Sequence, residues 1–392
     1  MTKSWLSPAI FHSVFWIIMM IIPLLFASEF TIHVSGLWAI TMFCLSLLSG
    51  AGFANLINKK KYLFYHLDSI NSVKIFFLIL CTISISGVIL LFKYSLSIYK
   101  VNFSLVDVLT IPNLISIDRY EGLINYPNHI KYSIYCIYPS SLISGLFLGL
   151  NVRFFSKAVL IIPLVCSIVL GFIEGTRSGI LICLILYISS YMASIIIADP
   201  LYKNNKKLNF KSVIFFITVP ISFISVFISI QWLRQGLDEI VFELIYIRIK
   251  AYFFGYLSAF SIWFEESNTF QIDGGLNTFA GFFSLLGWVD RSFGYYDPVQ
   301  ISTTTETNIF TVYRGIINDF SLYGALILFF FVGYFFEYVF KISSKGSLVH
   351  ISLLSSFYAF TLFSPLISIF HYNSVTFSWI ILITILVIFK RK

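Results

Sequence analysis

The feature that most constrains this chain is a succession of apolar stretches, each about twenty residues long and nearly free of charge, joined by short polar connections. In hydrocarbon every backbone N–H and C=O must find its partner within the protein, so such a stretch crosses a bilayer as a helix. Spans are predicted at 8–27, 34–56, 75–95, 131–150, 158–175, 178–198, 212–232, 320–340, 348–369 and 372–389. The composition agrees: 58% of the 392 residues are hydrophobic, 11% are charged, and the mean hydropathy is +0.89, more apolar surface than a soluble fold can bury. The expected fold is an all-α polytopic integral membrane protein of about ten transmembrane helices. It forms a single domain over 1–392 with one large loop, 233–319, inside it. The first stretch follows Lys3 and runs on towards Ala27 without a small-residue cleavage site, so it reads as a span and not as a cleaved signal.

Charge gives this plan an orientation. Alternate loops, together with Lys3 and the terminal Lys390, Arg391 and Lys392, hold sixteen of the 26 basic residues and only three of the 18 acidic ones. By the positive-inside rule both termini are cytoplasmic. The formal charge of +8 is then a matter of topology, and nucleic acid is not an expected partner. The two cations divide unequally. Fourteen of eighteen lysines fall on the cytoplasmic side, whereas six of eight arginines (Arg119, Arg177, Arg234, Arg248, Arg291 and Arg314) fall on the other. Arginine is a fixed, planar fork that matches phosphate oxygens two at a time, so an outer face poor in lysine and supplied with arginine suits a phosphorylated substrate.

Two outer segments are long. The first, 96–130, carries Asp107, Asp118, Arg119, Glu121 and His129. The second, 233–319, is helical in pattern from Asp238 to Phe264, broken at Gly274-Gly275, and apolar again from Leu276 to Val289; both apolar stretches are expected to lie on or dip into the outer interface. There is no internal repeat of the kind that builds transporters. The five cysteines all fall in predicted spans, which excludes a disulfide framework and leaves no CxxC pair. The large loop contains neither histidine nor HExxH, so neither metal nor cofactor is expected, and positive charge must come from arginine.

Four places carry candidate chemistry, and each reads two ways. Glu174-Gly175-Thr176-Arg177-Ser178-Gly179 sets an arginine on a glycine-flanked turn between two spans, where a headgroup can approach the backbone. The alternatives are a Glu174–Arg177 pair or an arginine reaching for the interface. The run Asn308 to Tyr313, Arg314 and Asp319 puts amide, cation and carboxylate at the head of a helix entering the membrane, where burial is costly unless it serves a purpose. Asp319 is equally suited to cap that helix. Arg248, Lys250 and Tyr252 can hold a diphosphate and stack on sugar rings, or form the polar face of an interfacial helix. Arg119 and Arg291 are further substrate-binding candidates, Arg234 reads as the anchor of a span end, and His129 is a candidate base or an ordinary interfacial histidine.

Taken together, the Gly-Thr-Arg-Ser-Gly turn at 175–179, the stretch Lys250–Phe264, the Gly-Gly-Leu-Asn-Thr-Phe run at 274–279 and the Asn308, Tyr313-Arg314, Asp319-Phe320, Gly324 entry resemble the bacterial O-antigen polymerases, the Wzy-type oligosaccharide repeat-unit polymerases. So does the plan of ten to twelve spans with a large late periplasmic loop. Ser321 departs from the pattern, since a glycine is common there. The resemblance implies a metal-independent glycosyltransferase of the bacterial inner membrane, working at its periplasmic face in lipopolysaccharide O-antigen biosynthesis. It would join oligosaccharide repeat units carried on undecaprenyl diphosphate. Arg177 and Arg314 would steady the departing diphosphate, with Asp319 or another outer carboxylate taking the proton of the attacking hydroxyl. Implied partners are the lipid bilayer, the lipid-linked oligosaccharide, and a chain-length regulator and flippase of the same pathway. The rivals are an O-antigen ligase, whose family uses a large-loop histidine that this chain lacks, and a lipid-linked oligosaccharide flippase or other transporter, which would carry charge in mid-span.

Overall fold

The computed structural model describes residues 4–57, 70–101, 104–152, 155–201, 224–234, 241–267, 272–289 and 296–389. They are nearly all helical. In chain order come α1 (Pro8–Phe26), α2 (Val34–Ile57), α3 (Ile70–Ile98), α4 (Leu105–Tyr120), α5 (Asn128–Tyr135), α6 (Ile137–Gly149), α7 (Lys157–Glu174) and α8 (Ser178–Leu201). There follow α9 (Ile224–Arg234), α10 (Val241–Glu266), α11 (Ala280–Leu285), α12 (Val312–Ser343), α13 (Leu348–Phe363) and α14 (Asn373–Phe389). A small antiparallel hairpin, β1 (Val299–Gln300) and β2 (Glu306–Thr307), lies within this otherwise helical order, which agrees with the expected all-α class.

Among the described residues six helices are long and apolar enough to cross a membrane: α1, α2, α3, α7, α8 and α12. The other predicted spans fare differently, for physical reasons. The span at 131–150 is two helices, α5 and α6, meeting at Cys136. Pro139 has no N–H to offer the carbonyl of Tyr135 and its ring crowds that carbonyl, so the helix breaks there. The spans at 348–369 and 372–389 are the shorter α13 and α14; sixteen residues of α13 reach only about 24 Å, less than a hydrocarbon core. The span at 212–232 is described only from residue 224 onward.

The core gathers around α2 and α12 and around α6 and α8. Small residues bring these backbones together. A Cβ on Gly333 would fall 2.1 Å from the Leu47 carbonyl oxygen, and one on Gly145 2.1 Å from that of Tyr187. Such contacts are how helices associate where lipid is as apolar as leucine. Polar ties across the core are few and long-range. Buried His12 on α1 bonds Tyr313 of α12 through Nε2 (2.9 Å) and Thr361 of α13 through Nδ1 (3.0 Å).

These ties sort the helix ends. Ser7 Oγ donates to Glu337 (2.7 Å) and Lys341 Nζ donates to the Ala54 carbonyl (3.2 Å), so one end unites the start of α1 with the ends of α2 and α12. At the opposite end the α1–α2 loop meets the hairpin, where Thr31 N–H donates to the Ile301 carbonyl (2.8 Å). There too Lys250 of α10 pairs with Glu29. The large loop is therefore packed structure: α10 lies against α1 and α2, and the hairpin lies on α10.

Candidate active site

The site is assembled from three separate parts of the chain. The first is the α7–α8 turn. Gly175 ends α7 in the left-handed conformation (φ 62°, ψ 26°), a shape glycine takes without penalty. A Cβ there would stand 2.9 Å from the Pro112 carbonyl oxygen of α4, so the turn is pressed against a neighbour that leaves room for glycine only. Arg177 follows at once. Its guanidinium carbon lies 5.1 Å from the Tyr252 ring centroid and 5.8 Å from that of Phe227, within cation–π range of both. Glu174 is engaged by Arg119 (3.6 Å), which also donates to the Glu174 carbonyl (3.3 Å) and so ties α4 to the end of α7.

The second part is α10 with the end of α9. Arg248 and Tyr252 are one turn apart and share a face, while Lys250 is turned away to Glu29. Burial pushes the Tyr252 phenol up, with the Arg177 guanidinium acting in the opposite sense, so the ring is a neutral platform. Gln231 and Arg234 of α9 stand beside them. Gln231 is 3% exposed, and among the described residues its Oε1 has no hydrogen-bond partner to offset its desolvation.

The hairpin is the third part. Ile301 is fully buried, and the Thr307 side chain packs on Gly255 of α10, where a Cβ would meet its methyl at 3.2 Å. Successive strand residues face opposite ways, so seating Thr307 against α10 turns Glu306 outward.

Together these parts enclose a cavity of about 660 Å³. Arg177, Arg234 and Arg248 line it, along with Gln231, Tyr252, Asn308 and the hairpin residues Thr304 to Thr307. Among the described residues on its wall Glu306 is the one carboxylate, against three guanidinium groups. Three guanidinium groups around one space suit an occupant with two or more negative charges. Among the described residues no group of three His, Cys, Asp or Glu side chains is placed to hold a metal ion.

The other predicted residues lie elsewhere. Tyr313 is fully buried, stacked on Phe43 (4.6 Å) and bonded to His12. Arg314 sits in an aromatic cage, its guanidinium carbon 4.0 Å from the ring centroids of both Tyr296 and Phe310 and 5.4 Å from that of Trp263. Among the described residues its buried Nε has no hydrogen-bond partner. Asp319 is wholly buried, and its carboxylate accepts from Asn277 N (2.9 Å), Asn277 Nδ2 (2.9 Å) and Thr278 N (2.6 Å). That geometry anchors the 274–279 turn to α12; it neither caps α12 nor reaches the cavity. Arg119 is committed to Glu174, Lys250 to Glu29, and Arg291 lies outside the described residues. Of the residues singled out from the sequence, the cavity brings together Arg177, Arg248, Tyr252 and Asn308; it adds Arg234, read from the sequence as a span anchor, and Gln231 and Glu306, which have no local signal.

Comparison with known proteins finds no match to any family model, to any curated protein or to any solved structure.

Proposed function

We propose that this chain is an O-antigen polymerase: a glycosyltransferase that joins oligosaccharide repeat units carried on undecaprenyl diphosphate, at the periplasmic face of the bacterial inner membrane. The observation that carries the reading is the convergence of Arg177, Arg234 and Arg248 on one cavity with Tyr252 as a neutral aromatic platform. Breaking a sugar–phosphate bond builds negative charge on the departing diphosphate. Guanidinium groups already fixed around that place stabilise the charge without reorganising, and they act more strongly where water is scarce. Tyr252 offers a face for a sugar ring, and Asn308 and the hairpin threonines offer hydrogen bonds to hydroxyls.

In this reading Arg177 and Arg248 hold the diphosphate, and Arg314 acts at a distance by holding the loop between Tyr296 and Phe310 against α10. The lipid carrier approaches from the bilayer. A flippase of the same pathway would deliver the substrate, and a chain-length regulator would set how often the step repeats.

The test is the size distribution of surface polysaccharide in a strain lacking the gene. Loss of the long ladder with a single repeat unit retained, restored by the wild-type gene, is the expected result. Arg177→Ala and Arg248→Ala should each cut polymer formation by about 100-fold or more at normal protein levels. Loss of even the single unit would replace this reading with a ligase or a flippase.

A further inference from the structure

The cavity has a polarity of its own. Its arginines come from the α7–α8 turn, α9 and α10, whereas its single carboxylate among the described lining residues comes from the hairpin. The hairpin is held from behind by buried Ile301 and Thr307 and bonded to the α1–α2 loop through Thr31 N–H and the Ile301 carbonyl. Glu306 is therefore an outward-facing carboxylate on a braced support, within a space large enough for a sugar and a diphosphate together. Asp319, the acid that the sequence favours, has its oxygens occupied by three N–H donors and full burial, so it has no free lone pair directed at a substrate.

Resting on the polymerase reading above, we propose that Glu306 is the catalytic base. The acceptor sugar's hydroxyl lies between Glu306 and the anomeric carbon of the donor. As its oxygen bonds to that carbon, the carbon–oxygen bond to the diphosphate breaks and its electron pair leaves with the phosphate, facing the arginines. The hydroxyl proton passes to the Glu306 carboxylate, so charge and atoms balance without a metal or any co-reactant. Opposed walls serve opposed needs: the carboxylate takes up a proton where the nucleophile enters, and the guanidinium groups take up negative charge where the leaving group departs.

The test uses the full-length protein in liposomes, with lipid-diphosphate-linked repeat units extracted from the strain lacking the gene. Glu306→Gln keeps size and hydrogen bonding but cannot take the proton. It should lower the polymerisation rate by about 100-fold or more with KM for the lipid-linked unit little changed. Glu121→Gln, an exposed acid away from the cavity, is the control and should match the wild type. Wild-type polymerisation with undiminished Glu306→Gln activity, or with a raised KM alone, overturns the base. No polymerisation by the wild type overturns the reading on which the proposal rests.

Discussion

Ser321 sits within α12 at φ 59° and ψ 168°, a backbone region occupied almost only by glycine. It divides the helix into a short N-terminal piece bearing Arg314 and Asp319 and a long apolar piece. Holding a side chain there costs on the order of 1–3 kcal/mol. Serine recovers part of this as a cap, its Oγ accepting from Gly324 N–H at 3.4 Å. Ser321→Gly should stabilise the protein by about 1 kcal/mol, strain relief outweighing the weak cap and the added freedom of the unfolded chain. Thermal unfolding in detergent would read this as a raised Tm, and a lowered one would mean that the hydroxyl matters more than the backbone. At the neighbouring positions the sequence was informative about polarity but not about direction. Tyr313, Arg314 and Asp319 share one short helical stretch, yet the helix turns them by about 100° per residue into a packed core, an aromatic cage and a hydrogen-bonded turn respectively.

The decisive element is α10, which forms the floor of the cavity and the seat of the hairpin. Its Lys250–Glu29 pair ties it to the α1–α2 loop, and the ammonium holds the Glu29 carboxyl below its ordinary value of 4.5. A depressed acid contributes stability that is intact above that value and fades as pH falls through the folded one. Glu29 is half-exposed, so the contribution is under about 1 kcal/mol, felt locally and not as global unfolding. Hydrogen-exchange protection around residues 27–33, corrected for the intrinsic exchange rate at each pH, should fall on acidification below pH 4.5 in the wild type, and in Glu29→Gln should be low already at neutral pH. The long helices were legible because each is written as one uninterrupted apolar run; the break before Pro139 was not, since Pro23, Pro112 and Pro163 sit inside helices that continue through them. The hairpin was not. Its strands have two residues each, and the Ile-Ser-Thr-Thr-Thr between them shows no alternation; what fixes it is the burial of Ile301 and Thr307 against Gly255 of α10, about fifty residues earlier.

At the scale of the molecule, the sequence segregated lysine from arginine, and the helix ends follow that division: Lys341 and Glu337 lie at one end, Arg177, Arg248 and the hairpin at the other. Which end faces which compartment is decided by labelling. A cysteine at exposed Thr303 should react in intact cells with a thiol reagent that cannot cross the inner membrane, and a cysteine at Lys345 only after permeabilisation. The reverse pattern would invert the topology. The five native cysteines supply little background, since four are buried and Cys136 is half-buried.

The cavity wall is drawn from residue 177, from residues 231–252 and from residues 298–309, stretches that meet only once the helices between them are in place. The site is thus not portable. Moving the large loop, 233–319, into another chain would carry Arg234, Arg248 and Glu306 but leave Arg177 and Gln231 behind, so a hybrid would inherit parts of both walls without the residues that complete them. Nor can the nascent chain act early: until the hairpin has been made, no part of the protein already in the membrane holds both the arginines and the carboxylate. On the polymerase reading proposed above, activity should arrive late in synthesis and all at once.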